Sequence, residues 1–273
     1  FSNVFSRSNY RGEIILNKKY LLYGYGISNR SVERFLIKHN IKYQVLKNSN
    51  DLLESEDYDI IIKSPGIPFN DDFLNKNQDK LIITDLELFY LFYPNSFIIG
   101  VTGTVGKTTT VLLLEHLLSK KYKTQIGGNI GIPVFDLDDS NNFKNEILII
   151  ECSSYMLAST FKFHPNIMII TNIYPNHIDH HSSFEHYLNS KIKCLKNMNI
   201  CDTVLSLEKL KKDIDNNISQ KKYLENLNEF KVIDNNLYYQ DIIILNNYLS
   251  VLTGEHNLYN LWFSLKVCEL LKI

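Results

Sequence analysis

Alanine is nearly missing from this chain: a single one, Ala158, occurs among 273 residues, beside a single tryptophan. Asn, Lys, Ile and Tyr fill the composition instead, as an AT-rich coding sequence would favour, so Asn- and Lys-rich stretches are not read as disorder or as nucleic-acid-binding arms. An excess of one charge is also lacking, since the formal net charge is -1, and no nucleic-acid partner is expected. The four cysteines, Cys152, Cys194, Cys201 and Cys268, show no Cys-x-x-Cys spacing, which argues against a zinc ribbon or a disulfide framework and for a reducing, cytoplasmic setting. No apolar run is long enough to span a bilayer, and Phe1 to Arg11 lack the apolar centre of a signal peptide, so no membrane association is expected. With 44% hydrophobic and 22% charged residues, the chain reads as ordinary globular protein with room for two cores.

What is present is a turn shaped for phosphate. Ile98-Ile99-Gly100-Val101 reads as a strand, Gly103-Thr104-Val105-Gly106-Lys107-Thr108 as a loop, and Thr109 to Lys121 as a helix. Gly103 and Gly106 let backbone N–H groups converge on an anion, Lys107 can reach the outer phosphates, and the Thr108 hydroxyl can hold Mg²⁺. Val101 stands where the longer form of the motif has its first glycine, so the match is to Gly-x-x-Gly-Lys-Thr. A glycine turn beside an exposed lysine is the competing reading, and the strand before and helix after it favour phosphate.

Around this loop the chain alternates strand and helix. Tyr20–Tyr23, Tyr43–Leu46, Asp59–Ile62 and Leu81–Thr84 read as strands of a first parallel α/β unit, with a helix over Ser31–His39. Its Gly24-Tyr25-Gly26 turn only partly meets the dinucleotide fingerprint. Lys47-Asn48 stand where an acidic residue would hold a ribose, which argues against NAD. Ser64-Pro65-Gly66 gives the same sheet edge a second loop fit for an anion. A polar link at Tyr93-Pro94-Asn95-Ser96 marks the expected boundary between residues 1–94 and 95–273. The second unit has strands at Phe97–Val101, Glu146–Ile150, Ile167–Thr171 and Thr203–Leu207, then antiparallel hairpins over Phe230–Leu252 and a closing helix over Leu258–Leu271.

Three further features bear on chemistry. Glu151 follows an apolar strand directly, which places a carboxylate at the sheet edge shared with the phosphate loop. It is either a Mg²⁺ ligand or an ordinary strand-end glutamate. His177, His180, His181 and His186 lie close together, but the helical zinc signature is absent. The reading is therefore a polar site role for His177 and solvated positions for the others. Lys191 and Lys193 fall on a helix over Phe184–Lys196, on different faces, where lysines are usually solvated.

The motifs Thr102–Thr108, Gly127-Gly128-Asn129-Ile130-Gly131, Glu151-Cys152-Ser153-Ser154-Tyr155, His177-Ile178-Asp179, Lys191 and Gly254-Glu255-His256-Asn257-Leu258-Tyr259-Asn260 occur in this order, and over essentially its whole length the chain resembles the Mur ligases. The resemblance implies a Rossmann-like first domain that binds a UDP-linked substrate. A P-loop ATPase-type central domain would follow, with a mostly parallel sheet and added hairpins. It also implies an ATP- and Mg²⁺-dependent amide ligase of peptidoglycan synthesis, which activates a carboxylate as an acyl phosphate. Ser64–Ile67 and Asp85-Leu86-Glu87-Leu88-Phe89 match the member that joins D-glutamate to UDP-N-acetylmuramoyl-L-alanine, so those two small molecules are the expected partners, and a monomer is the expected state. Residue by residue, the resemblance gives the nucleotide to Gly103, Thr104, Gly106, Lys107, Thr108, Thr109, Asn129, Asn257 and Asn260. One Mg²⁺ falls to Thr108 and Glu151, and a second to His177 and a carbamylated Lys191. The UDP substrate falls to Ile27, Ser28, Ser64, Pro65, Gly66, Asn129 and His177.

Three departures stand out. Val105 replaces a common Asn, Asn176 replaces the usual Asp before the histidine, and Lys47-Asn48-Ser49 replaces residues that often hold the uracil. The third, amino-acid-binding domain of the family does not occur in these 273 residues, so the isolated chain is expected to bind ATP–Mg²⁺ and to make little amide. The competing readings are a catalytically lapsed nucleotide-binding protein and a different Mur ligase.

Overall fold

A computed structural model of the chain describes residues 15–49, 51, 57–68, 70–176, 181, 183–215, 221–247 and 254–273. The first unit is a parallel sheet of β1 (Tyr20–Tyr23), β2 (Tyr43–Leu46), β3 (Ile60–Lys63) and β4 (Leu81–Ile83) in the order β2-β1-β3-β4. β1 and β3 are buried on both faces, which is why their sequences read as continuous apolar runs rather than alternating ones. Leu22, Ile62 and Ile83 pack on one face with Val32 and Leu36 of the helix Ile27–Lys38, while Leu21 and Ile61 pack on the other with Leu74.

The second unit is a parallel sheet of β5 (Phe97–Thr102), β6 (Lys123–Gly128), β7 (Glu146–Glu151), β8 (Ile167–Ile170), β9 (Thr203–Ser206) and β10 (Lys221–Leu224), ordered β10-β9-β8-β5-β7-β6. β5 lies between β7 and β8. Its side chains alternate between two cores, Ile98 with Leu148 and Met168 on one face, Ile99 and Val101 with Ile149 and Ile169 on the other. The helices Lys107–Leu118 and Glu255–Leu270 cover the second face through Val111, Leu114, Trp262 and Phe263. A small antiparallel sheet of β11 (Phe230–Ile233), β12 (Asn236–Tyr239) and β13 (Ile242–Leu245) follows, as expected for that stretch.

Both helices flanking the phosphate loop differ from the sequence reading. The first starts at Lys107 rather than Thr109 because Gly106, with φ +84°, already turns the chain into it, and it stops at Leu118. The last starts at Glu255. β6 and β10 were not foreseen: β6 reads Lys-Thr-Gln-Ile-Gly-Gly and is an edge strand that pairs with β7 among the described strands, so it needs no continuous apolar run. Similarly, the helix from Phe184 is α-helical only to Ile192 and continues as a 3-10 turn over Lys193–Asn197.

The two parallel sheets are joined by the helix Asp85–Phe92, which is buried nearly all round and therefore shows no polar face in its sequence. Leu88 enters the first core, whereas Leu86, Phe89 and Tyr90 enter the second. Between them the fully buried Glu87 accepts N–H bonds from Phe161, Lys162 and Phe163 at 3.1, 2.8 and 3.0 Å. Thr84 Oγ1 adds a bond to the Met156 carbonyl at 3.1 Å. Arg34 also reaches Asp136 across the junction, with Nε to Oδ1 at 3.0 Å, but the Arg34 side chain is largely exposed and solvent weakens the pair. The Glu87 clamp is the stronger tie, because its three bonds are shielded from solvent and leaving any of these groups unpaired is costly; burial pushes the Glu87 pKa up to about 7, against the pull of the three N–H bonds.

Candidate active site

The carboxyl ends of β5, β6, β7 and β8 meet at one edge, where ligands of open α/β sheets bind. Register places Val101 beside Glu151 and Glu151 beside Gly128, so the phosphate loop, the Asn129 loop and the Glu151 carboxylate converge by strand pairing alone. Both loop glycines are sterically required. A Cβ on Gly103 would lie 1.9 Å from Thr171 Oγ1, and one on Gly106 2.6 Å from Asn260 Oδ1.

Asn172 clasps the loop from β8. Its Oδ1 accepts from the Val105 N–H at 3.0 Å, and its Nδ2 donates to the Val105 carbonyl at 2.9 Å, while Thr171 Oγ1 donates to the same carbonyl at 2.7 Å. The Val105 side chain, 56% exposed, takes no part in this clasp, so the loop tolerates valine at that position. Thr104 Oγ1 pairs with Tyr187 Oη at 3.0 Å and accepts from the Tyr174 N–H at 2.9 Å.

The Thr108 hydroxyl donates to Glu151 Oε2 at 2.8 Å, and Asn129 Nδ2 donates to Oε1 at 2.8 Å. A hydroxyl and a carboxylate oxygen held together beside a phosphate loop are the hard oxygen donors that Mg²⁺ takes. Lys107 donates to the Thr104 carbonyl at 3.0 Å, and burial lowers its pKa while Glu151 opposes the shift.

Lys191 is buried, not solvated as its place on a surface helix suggested. It is 2% exposed, donates to the Gly103 carbonyl at 2.8 Å and lies 4.7 Å above the Tyr187 ring. Desolvation first, then repulsion from Lys107, pulls its pKa down to about 7. Together Lys107, Lys191, Asn129, Ser154, Tyr155 and Tyr187 line a cavity of about 270 Å³. His177 lies outside the described residues. His181, read as solvated, is instead fully buried: its Nε2 pairs with Ser154 Oγ at 2.9 Å and its ring stacks on Tyr155.

Asn260 is buried beneath the loop, where its Oδ1 accepts from Thr110 Oγ1 at 3.3 Å, while Asn257 lies one turn earlier on the same helix and is half-buried. Thr109 is half-buried on the first turn after the loop. In the first unit, Ile27 is exposed, Ser28 and Pro65 are half-buried, Gly66 is exposed and Ser64 is buried. A Cβ on Gly24, φ +75°, would meet Ser64 Cβ at 2.9 Å, so the two loops of that edge pack against each other. Asn172 and Tyr187 were not singled out in the sequence. Tyr187 precedes Lys191 by four residues on one helix, the spacing that stacks side chains on a shared face.

Residues 101–268 match the Mur ligase middle domain. The chain belongs to the Mur ligase family. Among curated Mur ligases, it is 39% identical over 204 residues to a UDP-N-acetylmuramoylalanine--D-glutamate ligase of Fervidobacterium nodosum, covering 65% of this chain and 48% of that protein. It is also 32% identical over 250 residues to the protein of the same name from Listeria monocytogenes, covering 87% of this chain and 54% of the relative. The chain thus spans about half the length of these curated relatives. The solved UDP-N-acetylmuramate:L-alanyl-gamma-D-glutamyl-meso-diaminopimelate ligase from Neisseria meningitides has the same fold, with a TM-score of 0.62 at 12% identity over 94% of each chain.

Proposed function

We propose that this chain supplies the ATP and UDP-substrate sites of a Mur ligase that adds D-glutamate to UDP-N-acetylmuramoyl-L-alanine. Residues 95–273 would be the ATP-binding domain and residues 1–94 the domain holding the UDP end through Ile27, Ser28, Ser64, Pro65 and Gly66. The phosphate loop, the Thr108–Glu151 pair and the buried Lys191 converge on one sheet edge, which supports this assignment. The naming of the curated relatives supports the choice of amino acid and acceptor.

The residues fit ATP and Mg²⁺: the loop has no Cβ at Gly103 or Gly106 to block phosphate, and oxygen donors stand ready at Thr108 and Glu151. ATP bound there would supply the phosphoryl group that activates a carboxylate. Gly103, Thr104, Gly106 and Lys107 would hold its phosphates, with Thr109 and Asn129 nearby. Asn257 would meet the base, and Asn260 would also hold the loop against its helix. Lys107 would neutralise charge on the outer phosphates.

Lys191 and His177 would hold a second Mg²⁺. Burial leaves the Lys191 amine substantially neutral near pH 7, the form that adds to carbon dioxide, giving a carbamate anion and releasing a proton. A carbamate would attract Mg²⁺ where an ammonium repels it. The protein is proposed to act as a cytoplasmic monomer.

Calorimetric titration of residues 1–273 with UDP-N-acetylmuramoyl-L-alanine and with UDP-N-acetylmuramate tests the substrate assignment. Clearly tighter binding of the first is expected. Equal binding of both, or binding of neither, contradicts it.

A further inference from the structure

Two large apolar side chains beside the phosphate loop face solvent, and neither lines the cavity of Lys107 and Lys191. Val105 is 56% exposed and Tyr174 46%. Such side chains exposed singly need no explanation, but these two are carried on segments bonded to each other. The Thr104 N–H donates to the Asn172 carbonyl at 3.0 Å and the Asn172 amide clasps Val105, so residues 172–174 run alongside the loop.

For an exposed residue, Tyr174 is firmly held. Thr104 Oγ1 accepts from its N–H at 2.9 Å and donates to its carbonyl at 3.2 Å. At the far end of the side chain Lys209 donates to the Tyr174 hydroxyl at 2.7 Å, with its ammonium 4.2 Å from the ring centre. Lys209 is also within electrostatic reach of Glu225. A ring fixed at both ends loses little further freedom when a ligand packs on it, which is what preorganisation contributes to binding.

With the outer phosphates of a bound triphosphate beside Lys107 and Lys191, its nucleoside must leave the loop away from that cavity. Asn260 lies against Gly106 from the last helix, whose first turns carry Asn257 and Tyr259. The Tyr259 hydroxyl is in turn within electrostatic reach of Tyr174, so the ring and the start of this helix border one region outside the loop. A nucleobase arriving there brings a flat π-face, which stacks on an aromatic ring whatever the base.

We infer that Tyr174 is a stacking platform for the base of the nucleotide held by the phosphate loop, with Val105 adding apolar surface beside it. This rests on the proposed ATP site and adds to it a residue that meets the base and not the phosphates.

Calorimetric titration of residues 1–273 with ATP and with tripolyphosphate, both with Mg²⁺, separates the two contributions, because tripolyphosphate carries the three phosphates without a base. In Tyr174→Ala, ATP should bind about tenfold more weakly, roughly 1.4 kcal/mol, while tripolyphosphate affinity changes by less than about twofold, and Tyr174→Phe should keep most of the ATP affinity. Tyr174→Trp gives a reading independent of the alanine variant. The chain's single tryptophan, Trp262, is 1% exposed, so the introduced indole reports on the ligand, and ATP but not tripolyphosphate should quench its fluorescence. Unchanged ATP affinity in Tyr174→Ala, equal loss of ATP and tripolyphosphate, or equal quenching by both would overturn the role of Tyr174 and leave the phosphate site standing. Failure of the folded parent to bind either ligand would overturn the phosphate site, and the platform with it.

Discussion

The Thr108 hydroxyl rests on the Glu151 carboxylate at 2.8 Å, joining the first turn after the phosphate loop to the end of the neighbouring strand across 43 residues of sequence. Strand register brings these groups together before any ligand arrives, so the donor pair is preorganised. Thr108→Val and Glu151→Gln should each abolish most of the Mg²⁺-dependent gain in ATP affinity while leaving the weak metal-free binding nearly unchanged. Titrations with and without Mg²⁺ check this. Equal loss under both conditions would mean that the pair supports the loop and not the metal.

Gly106→Ala should be severe for two reasons. The backbone there is left-handed at φ +84°, and a methyl group would sit 2.6 Å from Asn260 Oδ1. A loss of stability of about 1–3 kcal/mol and of nearly all ATP binding is expected. Denaturant melts and nucleotide titration measure the two effects separately.

Burying Lys191 makes stability depend on pH. Its folded-state pKa, about 7, lies below the ordinary lysine value, so from about 7 upward to the ordinary range the unfolded chain binds more protons. Stability contributed by this residue therefore rises with pH through that window, and below about 7 the buried cation destabilises the fold. Lys191→Met should flatten the rise and stabilise the protein at neutral pH. Melts at pH 6.5 to 9.5 (roughly the window this shift defines) check the sign, and a parallel slope in parent and variant would refute it. With bicarbonate present, mass spectrometry after trapping should find one carbamate on the parent and none on the variant.

Glu87→Gln should loosen the junction between the sheets, because an amide offers one acceptor oxygen where the carboxylate offers two to three N–H groups. A cost of about 1–3 kcal/mol is expected, with faster hydrogen exchange at Phe161, Lys162 and Phe163. Unchanged exchange there would show that packing by Leu86 and Phe89 holds the junction without the clamp.

The parts of the fold legible in the sequence were those with a local cause. β1, β5, β7 and β8 announced themselves as apolar runs because parallel strands are covered on both faces, and the phosphate loop announced itself through glycines that only a left-handed turn or a close approach requires. β6 stayed hidden, since an edge strand carrying Lys123, Thr124 and Gln125 has no such run. Lys191 was legible only through family resemblance, as nothing in Phe184–Ile192 says which face meets the Gly103 carbonyl. Asn172 and the burial of His181 are tertiary facts: each depends on a partner far away in sequence, Val105 in one case and Ser154 in the other.

We propose the loop at Gly103–Thr108, with Glu151, as a metal-dependent ATP site. Calorimetric titration of residues 1–273 with ATP in the presence of Mg²⁺, beside Lys107→Met under the same conditions, tests it most directly. Saturable one-to-one binding by the parent and its loss in the variant are expected. No binding by the folded parent, or equal affinity in Lys107→Met, would contradict it.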